Sequence, residues 1–272
     1  MSTITRSWID QDPALTFQYE GTSGYEMETR VPMALAALIP ESELLNPDHR
    51  LFQVSHLIPE LAWCQMHFEF RRVIAELQNG DYVLAGRLLQ RVAELADLPV
   101  VATRILLRAL PQYGMLDLRS KVTANASGLD SPGGKNLRII SAAVWRSFEA
   151  ATQREGVDLA SFAENVARPV GQLRPRAEET GLTTVYEGLY NVDSKYTEWR
   201  QVHLRLVWAH LGGLPNAGAD EQQEERREIP ASMRGRPITD LERMTERPLF
   251  PKLWNIINSN FKRMGGASYQ PS

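Results

Sequence analysis

Val192, Tyr196, Trp199, His203, Leu206 and His210 follow one another at steps of four, three, four, three and four residues. Such steps return side chains to one face of an α-helix, which turns once in about 3.6 residues. A strand needs alternation at every second residue, and no stretch of this chain sustains it. The stripe predicts a helix over 190–211. Similar stripes recur. Phe52, His56, Trp63, His67 and Phe70 share a face of one expected helix, and Leu84, Leu88, Val92 and Leu95 mark the next. Helices are also expected over roughly 100–110, over 136–154 (Leu137, Ile140, Val144, Phe148), over 157–167 and over 249–263. The expected fold class is all-α.

Punctuation divides the chain. Residues 1–45 hold Gly21, Gly24 and Pro32 and read as an irregular arm with one short helix near 32–39. Residues 46–272 read as a single helical domain. Asn46 is the expected N-cap of its first helix, with Pro47 in the first turn. Pro59 should kink that helix. Asn79-Gly80-Asp81 should close it and cap its successor. Thr123 to Lys135 is polar and glycine-rich and reads as a loop. Asp220 to Glu228 is nearly all charged or Gln and reads as a solvated segment.

Composition narrows the function classes. Thirty Lys and Arg against 33 Asp and Glu give a net charge of −3, without the basic excess of a nucleic-acid binder. No apolar run approaches the ~20 residues that span a bilayer. The first residues lack a signal-peptide core, so a cytoplasmic location is expected. The single cysteine, Cys64, excludes an internal disulfide and a multi-cysteine zinc site, and beside Trp63 it reads as a small buried hydrophobe. Walker and GxGxxG loops are absent, so no nicotinamide or flavin site is recognisable.

His56 and His203 sit in separate apolar stripes. A buried imidazole is costly without a partner, and a metal between two helices is one such partner. The pair suggests a helical haem pocket, with one histidine on the iron and the other on the open side. A satisfied core histidine is the bland alternative for each. His210 lies about 10 Å along the axis from His203, too far to share one iron, and reads as structural or surface. Arg119 is either a solvated helix end or a bidentate clamp for a substrate carboxylate.

Five segments in order resemble the landmarks of tryptophan 2,3-dioxygenase and its relatives, the haem-dependent aromatic oxygenases. Leu15-Thr16-Phe17 with Tyr19 or Tyr25 is similar to the arm that covers a neighbouring subunit's active site. Asp48-His49-Arg50-Leu51-Phe52, His56, Glu60-Leu61, Trp63 and His67 resemble the distal helix. Arg119 with Ala126-Ser127-Gly128 resembles the carboxylate-binding arginine and its Ser-Gly loop. Trp199-Arg200, His203, Val207 and Leu211-Gly212 resemble the haem-ligand helix, and Arg247-Pro-Leu-Phe-Pro-Lys-Leu-Trp254 the family's C-terminal Phe-Pro-x-Leu-Trp. The resemblance implies a helical bundle enclosing haem b, with His203 on the iron and Trp199 beside the cofactor. It implies that His56 hydrogen-bonds the oxidant or the substrate ring. Phe52 and Trp63 would pack that ring, and Arg119 and Ser127 would hold the carboxylate.

Departures refine the expected reaction. The dioxygenases follow the ligand helix with a Gly-Thr-Gly-Gly-type loop. Here that place reads Gly213-Leu-Pro-Asn-Ala-Gly-Ala-Asp220, without the threonine. The aromatic expected four residues before Arg119 is Met115, with Tyr113 nearby, and the link between the two histidine helices is shorter. These changes point to sister enzymes of natural-product pathways that insert one oxygen atom into an indole or phenol. The expected substrate is tryptophan or a derivative, with tyrosine 3-hydroxylation as the alternative. Dioxygen with an external reductant, or hydrogen peroxide, would be the co-substrate. A non-enzymatic haem-binding helical protein is the third reading. The arm has little core of its own, so a homodimer or homotetramer is expected.

Overall fold

A computed structural model describes residues 17, 20–123, 128–168, 177–214, 230–231, 235 and 237–264, leaving aside the side chains of 129, 177–180 and 264. Among the described residues every extended regular element is helical, apart from one isolated bridge between Ala231 and Pro237. The helices are α1 (Gly24–Thr29), α2 (Val31–Ala36), α3 (His49–Asn79), α4 (Tyr82–Leu95), α5 (Asp97–Ala109), α6 (Gln112–Lys121), α7 (Pro132–Arg154), α8 (Leu159–Val166), α9 (Ala177–Leu211), α10 (Ile238–Thr245) and α11 (Pro251–Met264). None of them is long and apolar enough to cross a membrane.

Several expected boundaries move. The arm carries two short helices rather than one, and α1 is closed at its start by a capping box between Ser23 and Glu26. Asn46 does not cap α3; Asp48 holds that position without a side-chain cap. The Asn46 amide instead donates to the Gly114 carbonyl and to Asp117 Oδ2, tying this turn to α6. Pro59 lies within one continuous helix, with its ring buried. Gly80 ends α3 at φ +82°, and Asp81 accepts from the Leu84 amide to start α4, as expected. The expected loop at 123–135 is helical from Pro132, because Ser131 accepts from the Gly134 amide and proline suits the first turn. Helices α6 and α10 were not expected from the sequence.

The two longest helices, α3 and α9, are held through α4, which packs on both. The α4–α9 seam is made close by glycine. A Cβ on Gly181 would stand 2.7 Å from Tyr82 Cβ, and one on Gly188 2.7 Å from Leu89 Cβ. The core runs from this seam to the aromatic cluster of Phe70, Trp145, Phe148, Phe162, Tyr186 and Phe250. Asp193 anchors the C-terminal part. Its buried carboxylate accepts the Phe250 amide at 2.8 Å and the Trp254 indole N–H at 2.5 Å.

Candidate functional site

The two stripes that carry His56 and His203 meet at a pair of tryptophans. Trp63 of α3 and Trp199 of α9 pack edge to face, with ring centroids 4.9 Å apart and planes at 78°. Trp199 also stacks on His203 at 5.7 Å and donates its indole N–H to Thr103 Oγ1 of α5 at 3.2 Å. One residue thus orients the imidazole and is itself fixed from a third helix.

His203 is half-buried. Burial pushes its pKa down to about 4, and the nearby His56 and Arg200 push the same way. At neutral pH the ring is therefore uncharged, the form that offers a lone pair. Among the described residues neither of its ring nitrogens makes a hydrogen bond. His56 lies near enough to influence that ring. Solvent reaches it, yet protein crowds it enough for burial to depress its pKa. The Phe52 carbonyl and the Glu60 carboxylate oppose that shift. His56 Nδ1 lies 2.7 Å from the Phe52 carbonyl. A carbonyl only accepts, so Nδ1 carries the proton and Nε2 of the neutral ring is left with its lone pair. Phe52 packs against the same imidazole at 4.1 Å.

Glu60, one turn beyond His56, accepts the Gly133 amide at 2.8 Å. A Cβ at Gly133 would come 2.6 Å from Glu60 Oε2 and 2.9 Å from Trp63 Cε3. The N-terminus of α7 therefore closes over the α3 side of the site, and only glycine fits there without displacement.

Among the sequence-predicted residues, Phe52 packs on His56, and Trp63, Trp199 and His203 form a second contacting set. Arg119 is half-buried on α6 and donates to the Ala231 carbonyl; its recorded contacts do not reach the two histidines. Leu15, Thr16, Tyr19, Ser127 and residues 215–229 lie outside the described residues. Cys64, expected to be buried, is exposed. His210 is buried, and its two ring nitrogens face the Leu206 and Leu110 carbonyls at 2.8 and 2.9 Å, so neither is turned toward a metal. The sequence reading missed Glu60, Gly133 and Arg200 as parts of the site.

His203 is the member of this group that could hold a metal or a prosthetic iron. Among the described residues no three His, Cys, Asp or Glu side chains gather as a metal-binding set. A porphyrin iron needs only one protein ligand, and an uncommitted neutral imidazole is the ordinary one. No family model matches the chain, and no curated protein aligns with it to significance.

Proposed function

We propose that this chain is a haem-dependent oxygenase with a tryptophan 2,3-dioxygenase-like bundle, which inserts one oxygen atom into the ring of tryptophan or a tryptophan derivative. The observation that carries the reading is His203, a half-buried, neutral imidazole stacked on Trp199 and without a hydrogen-bond partner among the described residues. His203 would hold the iron of haem b through Nε2, with Trp199 setting the plane of its ring. Haem held there would supply the oxidising power, drawn from dioxygen or peroxide.

The remaining chemistry belongs to the chain. His56 carries its proton on Nδ1 and presents a basic Nε2, suited to receive a proton from the substrate ring or the oxidant and return it. Phe52 and Trp63 would pack the aromatic ring of the substrate, as the family resemblance implies. Arg119 with Ser127 would take its carboxylate, as the family resemblance implies. The balance requires a hydroxyl in place of a ring C–H, with the second oxygen leaving as water. Dioxygen then needs two electrons and two protons from an external reductant, whereas hydrogen peroxide needs neither. Exposed Phe17, Tyr25, Met27 and Met33 on the arm support assembly as a homodimer or homotetramer.

Mass spectrometry of products from tryptophan, its ring-substituted forms and tyrosine tests the reaction, run with peroxide and separately with dioxygen plus ascorbate. A gain of one oxygen is expected, with the preferred substrate deciding between indole and phenol. A ring-opened product carrying both atoms of one dioxygen molecule would contradict single-atom insertion.

A further inference from the structure

Helices α8, α9 and α11 line an open cavity of about 490 Å³, within the range of about 300–1,000 Å³ that takes a small organic molecule. It lies well away from the histidines. Tyr190 on its wall precedes His203 by 13 residues on the same helix, roughly 20 Å along the axis. The walls are tied to one another. Asn260 of α11 donates to the Ala163 carbonyl of α8 at 3.2 Å, and Arg263 pairs with Glu164 at 2.8 Å. Phe162 of α8 meets Tyr186 of α9 edge to face at 5.9 Å, and Tyr190 packs on Trp254 of α11 at 5.9 Å. The cavity is therefore held open by all three helices before any ligand arrives.

Ala163, Val166 and Ile257 give the cavity apolar surface, while α9 presents Tyr186, Glu187, Tyr190 and Asn191 to it. Among the described residues none of these four polar side chains makes a hydrogen bond or an ion pair. Tyr186 is only 7% exposed, yet its hydroxyl is not sealed in: the one buried, unpartnered side-chain polar atom among the described residues is Trp145 Nε1. The small surface that Tyr186 keeps is on the cavity. Charge selects the occupant. The lining holds one carboxylate and no Lys, Arg or His. A carboxylate pairs with an ammonium, and the electron-rich faces of tyrosine rings favour the same charge. An anion would find no cation among the lining residues.

We propose that this cavity binds an organic ammonium with an apolar body, an arylalkylamine in chemical class. Glu187 pairs with the ammonium, the phenols of Tyr186 and Tyr190 and the Asn191 amide oxygen accept its remaining N–H groups, and the apolar surface takes the hydrocarbon. This second site is independent of the haem reading.

Isothermal titration of the full chain with phenethylamine and with hydrocinnamate compares two probes of like body and opposite charge. The wild type should bind the amine at least about ten-fold more tightly than the acid. Glu187→Gln should weaken the amine by about ten-fold or more, the loss of a charge-assisted bond, and narrow the gap between the probes. Ala167→Trp places a large ring in the cavity from its exposed edge and should abolish amine binding. Both positions are exposed, so both variants should fold, which circular dichroism checks. An amine held at the His203 site would bind both variants as it binds the wild type. That result in either variant, no amine binding by the wild type, or equal binding of the two probes would overturn the ammonium site.

Discussion

Trp63 and Trp199 meet edge to face at 4.9 Å, and this contact joins the helix that carries His56 to the helix that carries His203. Trp63 is buried to 6% exposure and also lies under Gly133 at the start of α7. Trp63→Ala should cost about 3–5 kcal/mol of stability, the range for removing a large aromatic from a core. Urea denaturation should show a lower midpoint at an unchanged slope. A loss under about 1 kcal/mol would mean that the junction repacks freely.

His203 makes stability depend on pH before any ligand is bound. Its folded pKa, about 4, lies below the ordinary 6.5, so below pH 6.5 the unfolded chain takes up a proton that the folded chain refuses. The penalty is absent above pH 6.5, grows as the pH falls toward 4, and reaches at most about 3 kcal/mol. His203→Gln should flatten the stability profile of the haem-free chain across that window. An unchanged profile would place the burden on other groups.

The glycine seam between α4 and α9 gives a second stability test. Gly188→Ala pushes a methyl against Leu89 Cβ and should destabilise by about 1–3 kcal/mol, despite the better helix propensity of alanine. A stabilised variant in thermal unfolding would show that the helices can part.

Asp193→Ala should cost about 2–4 kcal/mol, because the buried Phe250 amide and the part-buried Trp254 indole lose their acceptor. Hydrogen exchange should quicken at Phe250 first. Slow exchange there would show that another acceptor serves that amide.

Much of this architecture was legible in the steps of its apolar residues. The α9 stripe was read from 190, yet Leu182, Val185 and Leu189 extend it backward at the same spacing, and all three are fully buried. Helix α6 escaped notice because Leu118 is its only buried residue, so no stripe marks it. The start of α7 escaped because Gly133 and Gly134 argue against a helix locally. The contacts that favour it, Glu60 with the Gly133 amide and Trp63 against the glycine, come from α3, over 60 residues away. Asn46 reads as a cap because its neighbours are in sequence, while its actual partners, Gly114 and Asp117, are on α6. The histidine pair was legible because both rings lie on stripes. Arg200 was not, since a charge next to a stripe reads as solvated until Tyr196 and the Arg247 carbonyl are seen to enclose it.

Haem titration of wild-type protein and of His203→Ala, His56→Ala and His210→Ala tests the central assignment most directly. The wild type should bind one non-covalent haem b with a five-coordinate histidine spectrum, since no CxxCH motif exists for attachment. His203→Ala should lose the haem or that spectrum, His56→Ala should keep the ligand spectrum while its response to substrate changes, and His210→Ala should keep both. A wild-type spectrum in His203→Ala, with its loss in His56→Ala or His210→Ala, would contradict the assignment of His203 to the iron.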